Sequence, residues 1–305
     1  MAIDKPKRRY KNTFKSISNG QIVFEVSVLI IFIVLFVFPF LNLIAMSFSS
    51  GRAILSGEVY FWPVDFQVES WRMVLENEEL IKSFVFTVAL TFNYTVLGLL
   101  MNILASYPLS KKYLKGRKPI YVYILIPMYF SGGLIPTYLL YQSLNMLDTY
   151  WVLLIPGVFS IYNTLILRTF FTQIPDSLEE SAKIDGANDF QILFRIYVPL
   201  SLPALATLAL FYAVGKWNSF QDAVFFLPTR KDLVPLQLLL QRVLAVTKDS
   251  EKMRERLDGT TRRIQVLGES QKAANILFTV IPIILVYPWL QKYFVKGVTI
   301  GSIKE

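Results

Sequence analysis

Val23-Phe-Glu-Val-Ser-Val-Leu-Ile-Ile-Phe-Ile-Val-Leu-Phe-Val-Phe-Pro-Phe-Leu-Asn-Leu-Ile-Ala-Met-Ser-Phe48 is an apolar run broken by a single charge, Glu25. About 20 predominantly apolar residues carry a helix across the hydrocarbon of a bilayer. A helix apolar on every side needs lipid or protein all round it. In lipid, every backbone N–H and C=O must be satisfied within the segment, so the run is expected to be helical. It is longer than the apolar stretch of about 7–15 residues in a secretory signal, and no small-residue cleavage pattern follows. A retained anchor is expected. The polar stretch before it, Met1 to Ile22, carries Lys5, Lys7, Arg8, Arg9, Lys11 and Lys15.

Outward from this segment the same pattern recurs near Phe84–Leu109, Ile120–Tyr141, Tyr150–Phe171, Val198–Trp217 and Ala273–Phe294. Only 17% of the 305 residues are charged and 54% are hydrophobic, with a mean hydropathy of +0.46. Soluble domains run nearer 25% charged. The net charge of +9 is explained by lysines and arginines in short loops beside apolar spans. No basic patch interleaved with aromatics is present, so nucleic acid is not an expected partner. The chain has no cysteine and no histidine. Disulfides, thiolate nucleophiles, histidine bases and the commonest zinc and copper sites are thereby excluded.

Lys111, Lys112, Lys115, Arg117 and Lys118 make a short basic loop between the second and third spans. With the basic N-terminus, it is expected on the cytoplasmic side. The expected fold is an all-α membrane protein of about six transmembrane helices with both termini cytoplasmic. Residues 1–22 form a tail, 23–305 a single transmembrane domain, and 218–272 a long external loop between spans five and six. That loop carries ten lysines and arginines against seven acids, against the usual trend, but long loops cross with less regard to charge. Within it Leu236, Leu239, Leu240, Val243 and Leu244 recur at helical spacing. An amphipathic helix is expected there, on the membrane surface or over a channel mouth toward a partner. Lys248 to Lys272 reads as a charged, solvated linker. Pro127, Gly132, Gly133 and Pro136, then Pro156 and Gly157, then Pro282 and Pro288 interrupt spans three, four and six. A backbone group freed by proline in lipid must find protein or a wet cavity, so kinks or cavity-lining breaks are expected.

The segment Ile174 to Pro199 is too polar to insert. Ser177 and Glu180 have capping-box spacing, which predicts a helix start there, and Gly186 is suited to end it. Asn188 is placed to cap a second helix with the stripe Phe190, Leu193, Phe194 and Tyr197. Glu180-Ser181-Ala182, Asp185-Gly186-Ala187, Ile196 and Pro199 resemble the EAA loop of ABC importer permeases, and Ile184-Asp-Gly-Ala with Pro199-Leu-Ser-Leu-Pro203 is similar to the maltose-type, carbohydrate branch. Ser181 stands where the family has alanine. Lys296-Gly-Val-Thr-Ile-Gly301, Met46-Ser-Phe-Ser and Ile135-Pro-Thr-Tyr-Leu-Leu are also similar to that branch.

The resemblance implies a permease subunit of a sugar or oligosaccharide importer in a bacterial plasma membrane, not an enzyme. It implies that Glu180, Ser181, Ala182, Asp185, Gly186, Ala187, Ile196 and Pro199 belong to a cytoplasmic coupling helix and loop docked on a separate ATPase. The implied partners are a pair of ATPase subunits, a second homologous permease and an external substrate-binding protein. No Gly-x-x-x-x-Gly-Lys-Ser/Thr phosphate loop is present, so ATP and magnesium are expected on the partner ATPase and no cofactor on this chain. Asn93 and Asn102, polar groups inside spans, are candidates for a pathway or for interhelical hydrogen bonds. Lys216, near a span end, is expected to make an interhelical hydrogen bond or to snorkel to the interface. Tyr129 and Tyr138 offer aromatic faces of the kind that bind sugar rings. An ion-gradient-driven transporter is the alternative, although no internal repeat and few intramembrane acids favour it. A membrane enzyme acting on lipid-linked sugars would need an interfacial carboxylate or histidine cluster, and none stands out.

Overall fold

The structure is a computed structural model describing residues 19–254 and 262–301, with side-chain surroundings described over 20–245 and 268–288. In chain order its helices begin with α1 (Asn19–Ser47), α2 (Gly51–Leu55), α3 (Glu69–Glu76), α4 (Glu78–Ser110), α5 (Arg117–Tyr129), α6 (Leu134–Ser143), α7 (Trp151–Leu154) and α8 (Ile161–Phe171). They continue with α9 (Asp176–Ile184), α10 (Asp189–Ile192), a π-helical turn (Leu193–Tyr197), α11 (Val198–Leu200), α12 (Leu202–Trp217), α13 (Gln221–Phe226), α14 (Leu236–Arg254) and α15 (Arg262–Gly301). No strand occurs among the described residues.

Helix α4 is the axis of the molecule. Asn77 caps it by accepting from the Leu80 N–H, and Glu78 and Glu79 sit in its first turn, where carboxylates favour the helix dipole. Its 33 residues, at about 1.5 Å each, reach roughly 50 Å. One side is buried along its length through Leu80, Ser83, Thr87, Leu90, Gly98, Asn102, Ser106 and Ser110. Small residues let other backbones come close, which is how helices gain contact in lipid. Helices α8, α12 and α14 pack against it, while α15 packs on α1, α2, α3 and α12.

Two apolar cores follow one another along α4. One gathers Leu80 and Leu90 with Val152, Leu153, Trp217, Phe226 and Leu236. The other gathers Ile103 and Tyr107 with Leu167, Phe171, Ile192, Tyr197 and Leu208. Between them, the Tyr212 hydroxyl donates to the Val158 carbonyl at 2.8 Å and accepts from the Asn102 amide at 2.8 Å and the Ser160 N–H at 3.2 Å. Thr164 donates to Asn102 at 3.2 Å, and Ser106 to the Thr164 carbonyl at 3.0 Å. Gly98 gives the Tyr212 ring its room: a Cβ there would lie 2.7 Å from it.

The structure refines the expected spans. Three helices among the described residues are long and apolar enough to cross a membrane, or up to five if each bent pair is one span. The third expected span is two helices, α5 and α6, bent by 112° at the break holding Gly132 and Gly133. The fourth is divided at Pro156–Gly157 into α7 and α8, because proline cannot donate the bond that would continue the ladder. The fifth bends by 83° between Leu200 and Leu202. Helix α1 begins at Asn19, four residues before the expected boundary, and residues 1–18 lie outside those described.

The Leu236–Leu244 stripe is not laid on the membrane surface. Leu236, Leu238, Leu239 and Leu240 are buried, and the Leu236 N–H donates to Thr87 of α4 at 2.8 Å. The expected linker Lys248–Lys272 is helical through Arg254 and again from Arg262, with residues 255–261 outside those described. Ser270 in it is buried, accepting from Ser70 at 2.8 Å and donating to the Ser47 carbonyl at 3.3 Å. Lys216 does not snorkel. It is buried, 3.7 Å from Asp222, with its ammonium 4.7 Å from the centre of the Tyr94 ring.

Candidate functional site

Helix α9 and the turn after it form a polar lobe beside the Ser110 end of α4. The helix starts at Asp176, one residue before Ser177, and Pro175 at its cap position offers no side-chain hydrogen bond. The Ser177–Glu180 capping box is therefore not formed. The fixed φ of proline and the first-turn carboxylates of Asp176 and Glu179 do the work of starting it. The other end forms as the sequence indicates. Gly186 has φ +81°, the Gly186 N–H donates to the Lys183 carbonyl at 3.0 Å, and the Ala187 N–H to the Ala182 carbonyl at 2.9 Å. This paired closure is a Schellman motif, with glycine at its left-handed position. Asn188 then caps α10 in a full capping box with Gln191.

The lobe has two faces. Ala182, Ala187 and Ile196 turn inward against the core around Tyr197. Glu180, Ser181, Asp185, Gly186 and Pro199 are exposed, and Ile184 is 86% exposed, the largest exposure of any apolar side chain on this lobe. The two alanines thus bring the helix close to its own chain, and the outer face is left polar around one bare isoleucine.

Sequence reasoning singled out Glu180 and missed its neighbour. Glu179 is 6% exposed, and both its carboxylate oxygens are filled. Lys111 donates to one, together with the Tyr197 hydroxyl at 3.0 Å. Lys183 at 2.6 Å and the Tyr113 hydroxyl at 3.2 Å donate to the other. Lys111, also buried, donates to Tyr197 at 2.7 Å, and its ammonium lies 3.9 Å from the Tyr197 ring centre and 4.2 Å from that of Tyr107. Burial opposes ionisation of Glu179, but the hydrogen bonds from Lys111, Lys183 and Tyr197 outweigh it and hold the carboxyl at about 2. Burial pulls the Lys111 ammonium below the ordinary lysine value, with the Glu179 carboxylate opposing. The signal in the sequence was the pair Glu179-Glu180 itself: adjacent residues on a short helix point about 100° apart, so one faces the bundle while its neighbour faces out.

A carboxyl with a depressed folded value stabilises the fold above its ordinary range and loses that contribution as pH falls. The difference in thermal midpoint between the parent chain and Glu179→Gln in detergent should be level above about pH 5. It should shrink as the pH is lowered through the ordinary carboxyl value of 4.5 toward about 2. A difference independent of pH over that window would show that the charge of Glu179 contributes nothing.

The pathway candidates are dispersed. Asn102 is fully buried and spent on Tyr212 and Thr164, which makes it a bundle-fixing residue rather than one that meets a solute. Asn93 is exposed and donates to the Tyr150 hydroxyl at 3.0 Å. Tyr129 is 75% exposed at the end of α5, next to the bend, and Phe130 beside it is 74% exposed. Tyr138 is half-buried with its ring 6.2 Å from that of Phe226. A further open cleft of about 500 Å³ adjoins the Glu179 cluster, lined in part by Lys112, Arg117, Arg168 and Asp176. Among the described residues no group of acids, histidines or cysteines is arranged to hold a metal ion.

Comparison with known proteins places this arrangement. The family model described as "Binding-protein-dependent transport system inner membrane component" matches residues 5–300. The polygalacturonan/rhamnogalacturonan transport system permease protein YtcP of Bacillus subtilis is 39% identical over 277 residues, covering 90% of this chain and 95% of that protein. Protein LplC of the same organism is 38% identical, covering 88% and 89%. Among solved structures, a bacterial ABC transporter involved in the import of the acidic polysaccharide alginate has a chain that superposes with a TM-score of 0.80 at 31% identity. That match covers 91% of this chain and 98% of the other.

Proposed function

The chain belongs to the family of binding-protein-dependent transport system inner membrane components, and from that premise we propose that it is a permease subunit of an ATP-driven oligosaccharide importer, coupled to a separate ATPase through α9. It is a multi-pass protein of the bacterial inner membrane, and ATP hydrolysis belongs to another subunit. Family membership sets aside both an ion-gradient transporter and a membrane enzyme. Oligosaccharide is supported as the substrate class by the polysaccharides named for its relatives, polygalacturonan/rhamnogalacturonan and alginate. The path is completed by a second, homologous permease, and an external binding protein delivers the sugar. Six crossings are reached by adding α7 with α8 as a divided span to the three long helices and the two bent pairs, with both termini inside.

The observation that carries the coupling role is the outward face of α9. Glu180, Ser181, Ile184, Asp185 and Gly186 stand clear of the chain's own core. Ile184, 86% exposed, would give that polar face an apolar contact for the partner. Ala182, Ala187 and Ile196 seat the helix from behind, and Pro199 begins the return into the bundle. Magnesium and ATP are held by the ATPase. Tyr129, Tyr138 and Asn93 supply aromatic faces and an amide toward the sugar path.

Gly186→Val tests this directly. A Cβ at Gly186 meets nothing within 4 Å, so the substitution acts on the backbone, where a β-branched residue at positive φ costs on the order of 1–3 kcal/mol. The variant should insert and pair normally. In proteoliposomes holding both permeases, the ATPase and the binding protein, uptake of oligogalacturonate per ATP hydrolysed should fall at least about tenfold. Unchanged uptake and unchanged ATPase stimulation would show that this loop is not the coupling element.

A further inference from the structure

The Glu179 cluster joins the outward lobe to α4, the helix on which α8, α12 and α14 pack. Its carboxylate comes from α9, while its donors come from four places: Lys111 at the end of α4, Tyr113 in the loop beyond, Tyr197 in the π-helical turn, and Lys183 one turn along α9. Lys111 is enclosed between two tyrosine rings and the carboxylate, with its hydrogen bonds divided between Glu179 and the Tyr197 hydroxyl. The rest of α4 is held as firmly. Asn102 and Gly98 are fixed against Tyr212 of α12, Ser106 against α8, and Thr87 against the start of α14.

We propose that the Glu179–Lys111 pair is the rigid joint by which movement of the coupling helix α9 is passed to α4, and so to the helices packed on it. The proposal rests on the coupling role of α9 and goes beyond it by naming the positioning residues that receive the motion. A joint of this kind must not slip when the lobe is pushed. A carboxylate with every lone-pair direction occupied, paired to a buried ammonium whose other acceptor, the Tyr197 hydroxyl, itself donates to that carboxylate, has that property. An exposed ion pair lacks it, because water replaces either partner at little cost. Lys112 and Asp176 span the same junction at 3.5 Å, with side chains 86% and 74% exposed, and they serve as a place to attach probes without entering the cluster.

The chain contains no cysteine, which makes the test clean. Lys112→Cys and Asp176→Cys are introduced together into the full complex, in the native chain and in Glu179→Gln. With Glu179→Gln, oligogalacturonate uptake per ATP should fall about tenfold. A short bis-methanethiosulfonate cross-linker, which forms a disulfide to each introduced cysteine with release of methanesulfinate, should restore it, and reductant should abolish the restoration. Spin labels at the same two positions should give one distance in the nucleotide-free and ATP-trapped native complex, and a second, longer distance in ATP-trapped Glu179→Gln. A native uptake ratio in Glu179→Gln would overturn the proposal. So would a lowered ratio that cross-linking leaves low, which would mark Glu179 as merely stabilising. If Glu179→Gln fails to assemble, the native arm decides: a label distance that changes between nucleotide states, or uptake blocked by the cross-link, shows a joint that opens rather than transmits. Gly186→Val run in parallel separates the two ideas. If it uncouples while Glu179→Gln does not, the joint is wrong and α9 still couples; if neither uncouples, the coupling role itself has failed.

Discussion

Lys111→Met should lower the stability of the isolated chain by about 3–5 kcal/mol. The magnitude follows from what is left behind. Glu179, held at about 2 by its donors, would lose Lys111 while Tyr197 and Tyr107 still shield it from water. Removing one member of a buried ion pair is costly because the survivor loses compensation, here leaving Glu179 only the half-exposed Lys183, whereas removing both is often close to neutral. The double variant Lys111→Met with Glu179→Leu should accordingly recover most of the loss. Thermal unfolding in detergent, followed by tryptophan fluorescence, reads the two singles, Lys111→Met and Glu179→Leu, and the double. A single variant as stable as its parent, or a double variant whose loss is the sum of the two singles, would mean the pair is screened like a surface bridge and not buried as described.

The second large effect is expected at Gly98. Even Gly98→Ala places a methyl 2.7 Å from one Tyr212 ring carbon and 2.8 Å from another. The ring cannot withdraw cheaply, since its hydroxyl is held by Asn102, the Val158 carbonyl and the Ser160 N–H at once. Overpacking of this kind costs about 1–3 kcal/mol, and Gly98→Val should do worse by forcing α12 off α4. In a Tyr212→Ala background the clash has no partner, so the cost of Gly98→Ala should largely vanish. The cycle is read by thermal midpoint and by the fraction of monodisperse chain recovered. A Gly98→Ala chain as stable as its parent would place α4 and α12 farther apart than the structure has them.

The sequence by itself determined that this is a helical membrane chain, because a run such as Val23–Phe48 has no other stable disposition in water or lipid. It located the polar lobe around α9 as well. Polarity ruled out insertion, glycine at 186 required a left-handed turn, and Asn188 with Gln191 made a cap that needs only local spacing. Period and capping are short-range properties, and they were legible for that reason. Tertiary structure decided which polar residues are buried and what they face. Glu179 and Glu180 are indistinguishable in sequence, yet one is sealed by Lys111, 68 residues away, and the other is bare. Asn102 was equally a pathway or a bundle residue until Tyr212, 110 residues distant, took its amide. The Leu236 stripe gave a correct helix, but spacing defines a face and not the surface that covers it, and here the cover is α4. The breaks near Gly133 and Pro156 were visible as residues that interrupt a ladder. The 112° turn at the first of them passes through Gly133 at φ +83°, a conformation that glycine permits but does not by itself specify.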